Sequence, residues 1–228
     1  MAERAARPLA VAAVLFDLDG TLADTAPDLV AALNRVRADR GLTPLPYSAL
    51  RPFASHGARG LVGAGFGVTP ADALFPALRD AFLAHYEAAL CVHTTLFEDI
   101  EALLAVLEAR ALRWGIVTNK VERYTRPLVD QLRLADRAGT VVCGDTTPHA
   151  KPHPEPLLHA ARALGVEPGR CLYVGDAARD IEAGVAAGMP TIVARYGYIE
   201  PEDTPEDWPA EGIIDRPGEL VAWLPATA

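Results

Sequence analysis

The chain has 228 residues, half of them hydrophobic and 22% charged, a balance that argues against disorder and allows a sizeable core in one large domain or two modest ones. A formal net charge of −9 argues against nonspecific binding to nucleic acid or to an anionic membrane, although it leaves a phosphate ligand open because local donors and a metal decide that. Cys91, Cys143 and Cys171 are odd in number, widely spaced and without zinc spacing; Cys143 and Cys171 lie in apolar runs and read as buried free thiols of a reducing compartment.

At the start of the chain, Arg4 and Arg7 precede an apolar run over 9–16, the outline of a short leader. The run is brief, however, and leads into Asp17 and Asp19 instead of a small-residue cleavage site. Residues 11–16 read better as a strand, apolar almost throughout as burial on both faces requires. From 25 to 92 the pattern is helical. Thr25 suits an N-cap, Pro27 and Asp28 suit a first turn, and Leu29, Leu33 and Val36 form an apolar stripe that ends before Gly41, Pro44 and Pro46. A further helical stretch covers 70–90. The string Gly60, Gly63, Gly65, Gly67 lacks a Gly-Lys-Ser/Thr ending and follows no strand, so it is not a phosphate loop.

Beyond 92 strands and helices alternate. Ile100, Leu103, Leu104 and Leu107 follow helical spacing ahead of a strand over 114–118, and 140–143 is a third strand. Leu157, Ala160, Ala161 and Leu164 repeat that spacing, with Gly165 as the stop, ahead of a strand over 171–174. Ile181 and Val185 share a face of a short helix ending near Gly188, followed by a strand over 191–194. Residues 200–209 read as a surface loop before a last strand near 213–214. No run approaches the roughly 20 apolar residues of a membrane-spanning helix. This order predicts an α/β fold with a doubly wound, mostly parallel sheet, its core formed by 1–24 and 93–228 and a small all-helical cap over 25–92. An insertion after the first strand lies over the carboxyl edge of the sheet, where such folds bind ligands, and reads as a lid.

Chemistry-bearing residues fall at four strand ends: Asp17 and Asp19, then Thr118 and Asn119, then Lys151, then Asp176 and Asp180. Each has an ordinary explanation by itself. Asp-Gly is a common turn, an aspartate often caps a helix, and a lone lysine is usually solvated. Together they bring four carboxylates, a hydroxyl and a lysine to one edge. Such carboxylates repel one another, and an oxygen-only donor set suits a hard cation such as Mg2+.

The set resembles the haloacid dehalogenase-like hydrolases. VLFDLDGT matches their hhhDxDGT, GIVTN their hhhT/S, Lys151 of AKPHPEP their lysine, and YVGDAARD their GDxxxD, over essentially the whole chain. In detail it looks like the phosphoglycolate phosphatase branch, and SHGAR, WGIVTNK, KPHPEPL and RYGYIEPED are also similar to N-acetylmuramic acid 6-phosphate phosphatases. The resemblance implies that Asp17 attacks phosphorus to form an aspartyl phosphate and that Asp19 protonates the leaving oxygen, then takes a proton from water. It implies that Asp17, Asp176 and the Asp19 backbone carbonyl hold Mg2+ with Asp180 in support, that Thr118 and the Asn119 amide cradle the phosphoryl oxygens, and that Lys151 neutralises charge. Asp19 is expected to start protonated, its pKa raised by neighbouring carboxylates.

In the cap, 55–59 is the candidate specificity loop, where Gly57 permits a close turn and Arg59 suits a substrate carboxylate; a solvated surface loop is the alternative. His153 and Ala177 depart from the family pattern, in which Asp and a polar residue are frequent. His85, His93 and His149 show no ligand spacing. The expected protein is a cytoplasmic Mg2+-dependent phosphomonoesterase, monomer or homodimer, acting on a small-molecule phosphate ester with no nucleic-acid or membrane partner. The resemblance places 2-phosphoglycolate first, with N-acetylmuramic acid 6-phosphate or a sugar phosphomutase reaction as alternatives. Asp19 argues against a true dehalogenase.

Overall fold

Continuous apolar strands can be satisfied only if helices cover both faces of their sheet, and the computed structural model, which describes residues 6–226, has this arrangement. In chain order its elements are β1 (Ala13–Phe16), β2 (Ala23–Asp24), α1 (Ala26–Ala38), α2 (Tyr47–Leu50), α3 (Gly57–Phe66), α4 (Phe75–Ala88), β3 (Thr95–Leu96) and α5 (Ile100–Ala109). There follow β4 (Arg113–Val117), α6 (Glu122–Gln131), β5 (Val141–Val142), α7 (Glu155–Leu164), β6 (Cys171–Gly175), α8 (Ala178–Ala186), β7 (Thr191–Ala194) and β8 (Gly212–Ile214). Six strands pair in parallel in the order β5-β4-β1-β6-β7-β8.

Alternate residues of β1 serve opposite faces. Val14 and Phe16 pack with Ile100, Leu104 and Leu107 of α5, while Ala13 and Leu15 pack with Leu157, Ala160 and Leu164 of α7. Leu104, Leu107 and Leu157 are fully buried, and each contributes about 1.5–3 kcal/mol by leaving water. Gly165 ends α7 at φ 64°, a left-handed conformation that glycine adopts without steric cost. Phe16 is paired with Ile116 on one side and Val174 on the other, so the residues that follow β1, β4 and β6 emerge side by side. Between β2 and β3 the chain is entirely helical, and among the described residues no helix is long and apolar enough to cross a membrane. Cys143 and Cys171 are buried and free. Arg4 lies outside the described residues.

Several local expectations are corrected. Thr25 does not cap α1 with its side chain; its hydroxyl donates instead to Asp19 Oδ1 at 2.5 Å. Val185 is 48% exposed while Ile181 is buried, so the two do not share an apolar face. The stretch 55–59 is not a loop, because Ser55 and His56 end a 3-10 turn over Arg51–His56 and Gly57 opens α3. The antiparallel pair β2–β3 and helix α6 have no counterpart in the sequence reading. The pair β2–β3 closes the base of the helical segment. Asp28 of α1 reinforces that base: its buried carboxylate accepts from the N–H groups of Val92, His93 and Thr94 and from the Thr94 hydroxyl.

Candidate active site

The carboxyl ends of β1, β4 and β6 meet beneath the helical segment. Asp17 follows β1, and its N–H donates to Val174 O at 2.9 Å. Lys151 Nζ lies 3.0 Å from Asp17 Oδ1 and 2.7 Å from Asp180 Oδ1, and it also donates to Val117 O and the Tyr173 hydroxyl. A lysine without access to water needs such partners, since an unpaired buried charge is costly. Carboxylate oxygens of Asp17, Asp176 and Asp180 lie within 4.8 Å of one another, all three residues buried.

These carboxylates divide into two kinds. Burial alone would raise Asp180, but Lys151 and then Arg179 outweigh it and hold its pKa below the ordinary value. Asp180 also accepts from the Ala177 N–H and the Tyr173 hydroxyl, so it is fully engaged in holding the lysine. Burial pushes Asp17 up to about 6 against the pull of Lys151, and pushes Asp176 up to about 7 with help from Asp17 and Asp180. Asp17 and Asp176 are therefore short of positive charge. Among the described residues nothing donates to the Asp19 backbone carbonyl. The buried, clustered carboxylates of Asp17, Asp176 and Asp180, two of them under-compensated, are a donor set that fits a hard divalent cation such as Mg2+. Gly20 is required there: it has φ +85°, and a Cβ would lie 2.1 Å from Asp176 Oδ2.

Thr118 is buried at the end of β4. Nothing described accepts from the Asn119 N–H, whereas the Asn119 side chain is spent on the Lys151 backbone, accepting from its N–H and donating to its carbonyl at 2.9 Å each. Asp19 differs from expectation. Its carboxylate stands outside the three-carboxylate cluster and accepts on Oδ1 from Thr25 and from Lys120 Nζ at 2.8 Å, so its immediate neighbours are a hydroxyl and a cation. The sequence reading missed Lys120, whose only signal was its place directly after Thr118 and Asn119. Its ammonium lies 4.9 Å from the Tyr86 ring centroid, and burial pushes the Tyr86 hydroxyl up to about 12, so Tyr86 stays a neutral donor.

The helical segment is fastened over this edge by side chains of both parts. Arg179 donates to the Ser55 carbonyl and hydroxyl, and the Ser55 hydroxyl donates to Asp176 Oδ2 at 3.3 Å. His56 pairs with Glu200, and Arg51 donates to the carbonyls of Tyr196 and Gly197 while lying over the Tyr198 ring. A cavity of about 920 Å³ remains between them, with Asp17, Asp19 and Thr118 on the core side and Phe53, Arg59 and Tyr86 on the other. Gly57 also lines it, with φ +55°. Arg59 is exposed, and no described residue bonds to its guanidinium, unlike those of Arg51 and Arg179. The histidines without ligand spacing stand apart from the cluster: His85 pairs with Asp39, the His93 N–H serves Asp28, and the His149 ring lies 4.3 Å from that of His153, tilted by 35°. His153 Nδ1 accepts from the Glu155 N–H at 3.2 Å.

A family model described as haloacid dehalogenase-like hydrolase matches residues 14–194. The chain is 46% identical over 208 residues to an N-acetylmuramic acid 6-phosphate phosphatase of Pseudomonas putida, covering 91% of this chain and 93% of that protein. It is 44% identical over 214 residues to a phosphoglycolate phosphatase of Xanthomonas campestris pv. campestris, covering 94% and 96%. The crystal structure of a predicted phosphoglycolate phosphatase from Haemophilus somnus 129pt superposes with a TM-score of 0.81 at 24% identity, over 92% of this chain and 96% of that one, a likeness of fold.

Proposed function

The chain belongs to the haloacid dehalogenase-like hydrolases and is a phosphoric monoester hydrolase, and from that premise we propose that it uses Asp17 as its nucleophile and Mg2+ as its cofactor on a phosphorylated sugar acid. The observation that carries the reading is the Asp17 carboxylate, buried at the sheet edge, 3.0 Å from Lys151 and within 4.8 Å of Asp176 and Asp180. A carboxylate so placed attacks phosphorus, forming the Asp17 O–P bond as the ester P–O bond breaks. Asp19 gives a proton to the leaving oxygen. It then takes one from the water that opens the aspartyl phosphate and releases inorganic phosphate. Lys151, the Thr118 hydroxyl and the Asn119 N–H offset the charge on the phosphoryl oxygens. Held by Asp17, Asp176 and the Asp19 carbonyl, Mg2+ would supply the charge that lets an anionic carboxylate approach an anionic phosphate. We take 25–92 as the lid and the remainder as the core.

Substrate size separates the two named relatives. A cavity of about 920 Å³ would be left mostly empty by a two-carbon acid, whereas an amino-sugar acid uses it. The free Arg59 guanidinium offers a bidentate partner for its carboxylate. N-acetylmuramic acid 6-phosphate is therefore our first reading, and 2-phosphoglycolate, first on sequence pattern, becomes the second. Its support is the 44% identity to a protein of that name. Phosphate release from each ester, as kcat/KM with and without Mg2+, decides between them. Asp17→Asn should lower kcat by roughly a thousandfold or more, on the scale of other essential nucleophiles. Retained Mg2+-dependent turnover in that variant would remove Asp17 from the mechanism, and isomerised sugar phosphate in place of inorganic phosphate would indicate a mutase.

A further inference from the structure

We propose that Lys120 and Tyr86 form a seat for an oxygen acceptor that the leaving group carries on the carbon next to its ester carbon. The proposal rests on the reading of Asp19 as the group that protonates the ester oxygen.

Three observations lead to it. Lys120 Nζ carries three N–H donors on a side chain only 10% exposed, and Asp19 Oδ1 is its one bonded acceptor among the described residues. The Tyr86 hydroxyl is buried in a residue 1% exposed; among the described residues it has no hydrogen-bond partner of normal length, and the Lys120 ammonium is the polar group it faces, which leaves its own O–H unspent. Both side chains line the cavity that contains Asp17 and Asp19. Unspent donors at a buried position are uncommon in folded proteins and mark a place where something else supplies the acceptor.

Position fixes what that acceptor is. Asp19 must come within hydrogen-bond reach of the ester oxygen to protonate it. The Lys120 ammonium is 2.8 Å from Asp19 Oδ1, so an acceptor it reaches sits within a few bonds of the ester oxygen. On an α-phosphooxy acid this is a carboxylate oxygen; on a hexopyranose 6-phosphate it is the ring oxygen. The shared chemistry is an oxygen acceptor one carbon beyond the ester carbon. The ammonium, whose charge Asp19 already offsets, accommodates either form.

The seat has one wall from each part of the molecule. Tyr86 belongs to α4 of the lid, with its ring stacked against Phe82 and tilted on Tyr124 of α6, while Lys120 follows β4 of the core. It is complete only with α4 in place over the strand ends. An ester with the right oxygen thus meets the acid and both donors together, and one without it meets the acid alone.

The test compares wild type with Tyr86→Phe on N-acetylmuramic acid 6-phosphate, 2-phosphoglycolate and phenyl phosphate, whose leaving group has no such oxygen. Tyr86→Phe deletes a single unpartnered oxygen, so the fold is kept. The readout is the ratio of kcat/KM for each metabolite to that for phenyl phosphate. The expected result is a fall of about tenfold or more in that ratio for one metabolite, the effect of a lost hydrogen bond in a water-excluded site. The ester showing the fall identifies the acceptor as carboxylate or sugar oxygen. Ratios unchanged within about threefold for both, or a wild type that favours neither metabolite over phenyl phosphate, would overturn the seat. Turnover of both metabolites that persists undiminished in Asp19→Asn would overturn the underlying reading of Asp19 as the acid instead, a separate and recognisable failure.

Discussion

Asp17 and Asp176 hold protons more tightly than ordinary aspartates because burial removes them from water and Lys151 is shared with Asp180. A carboxyl whose pKa rises on folding, here from 3.8 to about 6 and about 7, binds more protons folded than unfolded between those values. The metal-free protein therefore loses stability as pH climbs from about 4 to about 7, and a cation that replaces those protons restores it. The rise in Tm caused by Mg2+, measured after chelation of adventitious metal, should be small near pH 5 and several times larger near pH 8, by about the same linkage. Equal rises at both values would dissociate the cation from Asp17 and Asp176. At this scale the sequence was legible where chemistry and spacing coincide: Asp17, Thr118, Lys151 and Asp176 are brought together from four strand ends. Lys120 was not legible. A lysine after a strand is ordinarily solvated, and only folding gives it Asp19 on one side and the Tyr86 ring on the other.

Strands were the more readable elements, because burial on both faces leaves no room for polar residues in β1 or β6. Helix α6 was obscure for the opposite reason: Glu122, Arg123 and Arg126 face water, Pro127 interrupts the pattern, and only Tyr124, Thr125, Leu128 and Val129 are buried. Helix α3 was hidden by its glycines. One of them, Gly65, allows close approach to α1, since a Cβ there would lie 2.8 Å from the Leu33 side chain. Sequence also assigned Asp28 to the first turn of α1, a modest role, whereas it ties the outgoing chain at β2 to the returning chain at β3 through three N–H groups and a hydroxyl. Asparagine at this site would turn amide hydrogens toward donors and leave buried N–H groups without acceptors. Asp28→Asn should then cost about 2–3 kcal/mol and lower Tm by roughly 4–12 °C for a chain of this length. A drop within about 1 °C in thermal denaturation would show that the base of the lid is held elsewhere.

Across the molecule, the parallel sheet brings Asp17, Thr118 and Asp176 to one edge, and the helical segment forms the facing wall of the cavity above them. The first part could be read from the order of strand ends. The second could not, since the fit of lid on core depends on Arg51 meeting the carbonyls of 196–197, on Arg179 meeting Ser55, and on His56 meeting Glu200, contacts that no local pattern announces. Those contacts also set Arg59 apart from the other two arginines. Arg51 and Arg179 are consumed in fastening the helical segment, while Arg59 lines the same cavity without a partner among the described residues. Removing an exposed, unpaired arginine leaves stability within about 0.5 kcal/mol. Removing the partner of a substrate carboxylate costs far more, about 10–100-fold for a charge-assisted bidentate pair. Arg59→Ala should therefore keep its Tm while KM for N-acetylmuramic acid 6-phosphate rises on that scale and kcat changes little. N-acetylglucosamine 6-phosphate, the same sugar without the lactyl carboxylate, provides the internal control. The wild type should prefer the carboxylate-bearing ester, and Arg59→Ala should erase most of that preference by weakening one substrate and sparing the other. Equal losses on both esters would mean that Arg59 shapes the lid rather than reads the acid, and the carboxylate would then have to be sought at Lys120, a further cation that lines the cavity and pairs with Asp19.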